Sequence, residues 1–439
     1  MTCSRFRVIC SPVLFRSVTL VRAPTADTST VLRHVRFLKL HHTSNPNTIR
    51  HVLQMTPKVV ELYCHKVPDA AIPVVLCCPT LETVTLTDVV VTDRHLCGII
   101  SSTLQSFRMV FSSIRSRASR RNLGLEMILL SSVFLHSHAT LQVLVLPGES
   151  TEIATLASFE WPSLRELAIC GPCPEFGDIF PRLLAVMPRL AVLTLATFPP
   201  HGQASAPVVP AGCDVQPLSE LRRLTLSHPN PTDGIFLGLT SSLLELSLRD
   251  NPRYYTRLRT DGSVLSCGAA TDIIRRLDSR GACQHIHRLE LVVAASIADT
   301  PDQEMNLYAV LAATCPQLRF LELHRYRRVH DPRDASVQIP WGIIADGLKR
   351  AGSLRHLRLN PDFPLRQHVE PDTYRSFLDK LDALAMQLAH GLPLLQSLAF
   401  LHSNLTGDYA WQPWSVRPDG TLARALRLRY IESCDMEWM

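Results

Sequence analysis

The chain has 439 residues, 46% of them hydrophobic and 6% aromatic, and carries a net charge of +6 from 45 Lys+Arg against 39 Asp+Glu. That length accommodates two or three globular domains or one long solenoid, and that hydrophobic content excludes a disordered chain. The charge is too mild for nucleic-acid binding, and no charge-free apolar run reaches the ~18 residues of a membrane span, so neither nucleic acid nor membrane is an expected partner.

In chain order, Met1 to Ala26 is arginine-bearing and lacks acid until Asp27, which superficially suits a mitochondrial transit peptide; a better account is given below. From Val35 onward a phrase recurs: apolar-x-x-apolar-x-apolar, often after a proline turn. Its starts are Val35, Val59, Leu81, Leu104, Leu141, Leu164, Leu190, Leu221, Leu243, Ile286, Leu318, Leu354 and Leu395. Cys78-Pro79-Thr80-Leu81 and Cys315-Pro316-Gln317-Leu318 show the turn most clearly. Proline fixes its own φ and turns the preceding residue away from helix, so a helix stops there and a strand begins. Such a unit cannot bury its apolar face alone and must stack on copies of itself.

The shorter intervals match the roughly 20–29 residues of leucine-rich repeats, and the longer ones require insertions or longer helices. Helical spacing is read at Asp178–Val186, Thr271–Ser279, Met305–Thr314, Ile343–Arg350 and, longest, Asp372–His390. Arg424 to Tyr430 reads as a degenerate last repeat strand. A doubly wound sheet would have strands of near-continuous apolar residues. Here polar residues alternate with two or three apolar ones. The expected fold is therefore α/β, a leucine-rich-repeat solenoid with a curved parallel sheet on the concave face and helices on the convex face. The eighteen inward leucines and valines of the repeats, such as Leu289, Leu291, Leu321 and Leu323, are its expected core.

Three segments break the rhythm. Ser112 to Asn122 holds Arg115, Arg117, Arg120 and Arg121, a solvated loop or an acidic-partner site. Pro199 to Pro217 reads as a mobile loop, and Arg253 to Gly268 contains Tyr254, Tyr255, Arg257 and Arg259.

Cys170-Gly171-Pro172-Cys173 has thioredoxin-type spacing, but it follows a repeat strand and lacks the flanking residues of a redox motif. A thiol redox protein is the weakest reading. Zinc at this pair would need two further ligands at short spacing. His41-His42 and the pair His324 and His330 are ligand candidates that read more simply as core or solvated histidines; Asn404-Leu405-Thr406 is a sequon without context. The thirteen cysteines are an odd number with no secretory signal before them, so reduced thiols are expected in an intracellular protein, cytoplasmic or nuclear. No catalytic residue, cofactor or metal is expected, and the chain is not read as an enzyme.

What remains is a surface. Residues alternating with the inward leucines face the concave side. In the second half these are Arg223, Glu245, Arg249, Arg288, Glu290, Glu322, His324, His356 and Arg358; in the middle they are Val143, Val145, Ala168, Val192, Thr194 and Ala196. Charged side chains are expected to be exposed, and reversal of Arg288 or Arg358 is expected to leave stability unchanged. A protein partner is expected on this face.

Cys3-Ser4-Arg5-Phe6 through Ser11-Pro12-Val13-Leu14-Phe15-Arg16-Ser17-Val18 resembles the end of an F-box running into the first strand of fungal F-box/leucine-rich-repeat proteins. The resemblance implies that residues 1–22 are a remnant of the last F-box helix with a lead-in strand, and residues 23–439 the solenoid. It implies the substrate receptor of an SCF-type ubiquitin ligase, with a Skp-type adaptor as partner only if the full-length protein has an intact F-box. The early Leu-Pro-x-Glu helices of that family have no counterpart here, which leaves a free-standing scaffold as the alternative.

Overall fold

The computed structural model describes residues 13–21, 29–41, 45–92, 100–101, 103–112, 122–199, 206–249, 264–295, 301–327, 341–361, 363, 371–403, 409–417, 419–425 and 428–430. Residues 1–12, His42, the arginine run 115–121, Tyr254 to Arg259, His330 and the sequon at Asn404 lie outside them. The chain divides into two compact units, Met1–Val192 and Leu193–Met439.

The repeat begins with its turn. In Cys315-Pro316-Gln317-Leu318, the Leu318 amide donates to the Cys315 carbonyl at 3.1 Å, with Pro316 in the position where its fixed φ suits a β-turn. The same bond closes Leu81 on Cys78, Leu190 on Met187 and Leu354 on Ala351. A strand then opens beside the preceding one. Arg319 and Phe320 both donate to the His287 carbonyl, at 2.9 and 3.0 Å.

In the first unit this gives β1 (Ser17–Leu20), β2 (Phe37–His41), β3 (Glu61–His65), β4 (Thr83–Thr87), β5 (Ser106–Val110), β6 (Val143–Pro147) and β7 (Glu166–Pro172). Each pairs in parallel with the next. β8 (Val192–Phe198) begins at the boundary. The second unit contains β9 (Arg223–Ser227), β10 (Glu245–Arg249), a short β11 (Leu265–Ser266), β12 (Arg288–Ala295), β13 (Phe320–Arg327), β14 (His356–Asn360) and β15 (Ser397–Ser403). Its parallel ladder runs β9–β10–β12–β13–β14–β15, with β11 also beside β12. Both units are leucine-rich-repeat stacks.

Register explains the periodicity. Leu246, Leu289, Leu321, Leu357 and Leu398 stand side by side across β10 to β15, and all are buried. Each fully buried leucine contributes roughly 1.5–3 kcal/mol. All eighteen residues expected in the core are buried; Val35 is so from the turn before β2 rather than from a strand.

Helices cover this leucine face. Trp341, at the start of the helix Trp341–Leu348, meets Phe400 of β15 edge-on at 5.4 Å, and Phe377 of the helix Pro371–Gly391 meets His402 at 5.6 Å. Long repeat intervals hold long helices. Leu123–Ser137, Cys267–Ser279, Pro301–Thr314 and Pro371–Gly391 fill four of them. In Cys267–Ser279, Ser266 caps the start and Gly281, at φ 70°, follows the end.

One expectation changes. Arg424 to Tyr430 is not a repeat strand: β16 (Tyr409–Val416) turns back antiparallel on β15, and β17 (Leu422–Arg424) and β18 (Arg429–Tyr430) both pair antiparallel with β16. In the described part of the Pro199–Pro217 loop, Val208 and Val209 are anchored, while Ala206, Ala211, Gly212, Asp214, Gln216 and Pro217 are exposed. Val209 is fully buried, and the buried Asp233 carboxylate accepts from the amides of Val208, Val209 and Ile235 at 2.6, 3.0 and 3.0 Å. No helix among the described residues is long and apolar enough to cross a membrane.

Adjacent helices pack closely at Gly347, where an added Cβ would lie 2.5 Å from the Tyr308 Cβ. Alanine would gain up to about 1 kcal/mol of helix propensity. Overpacking costs about 1–3 kcal/mol, so Gly347→Ala is expected to lower the urea midpoint. An unchanged midpoint would mean that the two helices separate freely.

Candidate functional site

On the other face of the second unit, register places the polar positions in rows. The first row is Arg223, Glu245, Arg288, Phe320, His356 and Ser397 on successive strands β9, β10, β12, β13, β14 and β15. Arg223 pairs with Glu245 through Nε and Nη2, at 2.9 and 3.2 Å, and its side chain stays 52% exposed. The Arg288 guanidinium lies 4.5 Å over the Phe320 ring. His356 is bonded through Nδ1 to Ser397 Oγ at 2.8 Å. Burial, with Arg355 and Arg358 nearby, holds its imidazole below the ordinary histidine value, so at neutral pH it is uncharged.

The second row is Thr225, Ser247, Glu290, Glu322, Arg358 and Ala399. Here the expectation of exposure fails. Glu322 and His324 are 0% and 1% exposed, and Glu290 and Arg249 are also buried. Val145, Ala168 and Ala196 among the apolar mid-chain positions are buried as well. Aromatic side chains that the repeat pattern does not flag lie against the row. Trp411 of β16 meets the His324 ring edge-on at 6.0 Å, Tyr326 stacks on it at 6.2 Å, and Arg358 lies 5.5 Å over Trp411.

Two carboxylates directly opposite one another repel. Glu290 and Glu322 are such a pair, and each has a guanidinium: Arg249 Nη1 at 3.8 Å from Glu290 and Arg358 Nη1 at 3.3 Å from Glu322. Ser247 donates to Glu290 at 2.7 Å. His324 contacts Glu322 through Nε2 at 3.0 Å, while Asn360 Nδ2 approaches His324 Nδ1 at 3.2 Å. These contacts fit an imidazole that accepts at Nδ1 and donates from Nε2.

Glu290, Glu322 and His324 bring one donor atom each within 4.8 Å of one another, as metal ligands do. The surrounding charges argue against a cation there: both carboxylates already face guanidinium groups, and the His324 nitrogen aimed at Glu322 carries the proton of their hydrogen bond. The arrangement is a nearly buried ionic network, with only Arg358 reaching partway to solvent.

Of the other sequence candidates, Cys170 lies within β7, two residues before its end, and Cys173 follows directly after it, six residues before the next described helix, Ile179–Ala185. His41 pairs in register with His65, their Nδ1 atoms 3.2 Å apart, and His65 Nε2 lies 3.4 Å from Asp88. Ser112 donates to Asp88 from its amide and its hydroxyl, and these bonds outweigh burial to hold that carboxyl below its ordinary value. Phe320 and Asn360 went unread, although both occupy the alternating positions from which the charged residues were taken.

Glu322→Ala is expected to cost about 3 kcal/mol, because Arg358 and His324 lose their shared acceptor in a largely dry site. Replacing Glu322 and Arg358 together by methionine is expected to recover most of that loss. Chemical denaturation of both single variants and the double variant measures the coupling; a double loss equal to the sum of the two single losses would mean the pair contributes nothing jointly.

No family model matches the chain, and neither does any curated protein. Among solved structures it is similar to that of the Rad7 and Elc1 complex in yeast, at 15% identity over 81% of this chain and 89% of that one, with a TM-score of 0.44. An internalin of Listeria monocytogenes matches at 11% identity over 78% and 79%, and a leucine-rich-repeat protein of Leptospira interrogans at 12% over 87% and 100%; both TM-scores are 0.29.

Proposed function

We propose that the chain is a non-enzymatic protein-recognition module whose partner docks on the face of the second unit opposite its leucines. The observation that carries this reading is the first register row. Arg223, Glu245, Arg288, Phe320 and His356 stand one per strand, charged and aromatic, and each remains at least partly exposed. The row beneath is fixed by its ion pairs, so the upper row projects from a rigid base. Arginine and aromatic side chains held this way suit interface anchors. Of the nine residues assigned to the face, Arg249, Glu290, Glu322 and His324 then act as support, and Arg223, Glu245, Arg288, His356 and Arg358 remain for contact.

The finer reading, a substrate receptor of an SCF-type ubiquitin ligase, rests on the F-box-like phrase at residues 3–18. Its described part, residues 13–18, leads into β1 with Val13 and Leu14 strongly exposed. A free-standing scaffold is the alternative. Calorimetry with a purified Skp-type adaptor separates them. The chain of this sequence is expected to bind weakly or not at all, and nanomolar binding would establish the receptor reading without the early helices.

The probe for the face is Arg288→Glu, not Arg358→Glu, which would set a third carboxylate beside buried Glu322. Arg288→Glu is expected to cost no more than about 1 kcal/mol of stability. Capture of partner proteins from cell extract, quantified by mass spectrometry, is expected to fall at least about tenfold, or ~1.4 kcal/mol. Undiminished capture by the folded variant would place the binding surface elsewhere.

A further inference from the structure

Cys283 and Cys315 occupy the same position in consecutive repeats, three residues before Ile286 and Leu318, and their carbonyls accept from those residues' amides at 3.3 and 3.1 Å. Register brings them together: β12 and β13 pair with Arg288 opposite Phe320, an offset of 32 residues, which is also the separation of the two cysteines. Neighbouring strands lie ~4.8 Å apart, within the ~4.4–6.8 Å between Cα atoms that a disulfide spans. Both thiols are buried, side by side under this register. Cys283 Sγ also reaches the Ile274 carbonyl at 3.6 Å, and Cys315 Sγ lies 3.7 Å from Thr314 Oγ1.

We propose that Cys283 and Cys315 form a peroxide-driven disulfide that ties together the two repeats carrying Arg288 and Phe320. Cys315 is the attacking thiol. The Cys283 S–H donates to it and lowers its pKa, while Cys283 itself is pushed up by that bond and by burial. The Cys315 thiolate attacks one peroxide oxygen, the O–O bond breaks, and hydroxide leaves, giving a sulfenic acid at Cys315. Cys283, giving up its proton, then attacks the Cys315 sulfur; the S–O bond breaks and water leaves. Two thiols and one hydrogen peroxide thus give one disulfide and two waters. Peroxide is little larger than water, so small openings of the turn admit it where a bulky disulfide oxidant is excluded.

The test treats the reduced full chain with hydrogen peroxide, blocks remaining thiols with an alkylating reagent, and digests without reductant. Trypsin separates the two cysteines onto the peptides 281–288 and 289–319, each with one cysteine. The expected product is the linked pair, lighter than the sum of its parts by two hydrogens, with the Tm raised by about 5–10 °C. In Cys283→Ala the sulfenic acid at Cys315 has no resolving partner, so labelling by a 1,3-dicarbonyl reagent, added with denaturant after the peroxide is quenched, is expected to rise at least about tenfold over the parent chain. Circular dichroism of Cys283→Ala checks that it folds, and Cys283→Ser serves if it does not. The proposal is overturned if the exposed Cys77 and Cys173 oxidise while peptides 281–288 and 289–319 stay unlinked, or if linkage appears only in denaturant.

Discussion

Parallel pairing in constant register is the constraint on which the rest of this structure depends. Leu289 stands beside Leu321, Leu321 beside Leu357 and Leu357 beside Leu398, because each turn delivers its strand to the same height. A one-residue slip would carry the leucines to the opposite face and the charged residues among the helices. The turn bond, such as Leu318 to Cys315, and the paired amides at each strand entry prevent that slip. Long insertions, including the helices Leu123–Ser137 and Pro371–Gly391, do not disturb it, since they lie between one strand and the next turn.

A stack with constant register has a side effect: residues of the same repeat position become neighbours. This suits leucines, whose contacts are not directional. It is costly for charges, and Glu290 opposite Glu322 is the clearest case. The chain resolves it with arginines placed differently on each side. Arg249 comes from two residues beyond Ser247 on β10, and Arg358 from the same row on β14. The same adjacency sets Cys283 and Cys315 at matching positions of neighbouring repeats, two thiols instead of two like charges.

The leucine ladder was legible because burial there follows from period alone: two inward positions per strand and a third in the turn. The open face was legible in direction but not in depth. Glu322 and Arg223 both alternate with leucines, yet one is wholly buried and the other half exposed. Glu322 is enclosed by His324 and Arg358, which in turn meet Tyr326 beyond the repeat phrase and Trp411 on a strand that breaks it. β16 escaped reading for the same reason: an antiparallel return has no counterpart in a pattern built from parallel repeats. Its Trp411 and Trp414 follow the period of a strand, but only pairing with Leu401 and Leu398 shows that one faces the ionic network and the other the helices.

β16 therefore does two things with one strand. It covers the outer edge of β15, whose unpaired amides and carbonyls would otherwise invite another chain. Its Trp414 reaches the helix side, where the indole donates to Asp382 at 2.7 Å and meets Phe400 edge-on at 5.4 Å. Its Trp411 reaches the other side and removes water from the His324 and Arg358 pairs. Dehydration strengthens those pairs only while both partners remain, and it makes each partner costly when alone. Packing of the terminal strand and rigidity of the row beneath Arg288 and Phe320 are thus linked through a single indole. Loosening β16 would therefore expose the ion pairs together with Leu398 and Leu401 of β15.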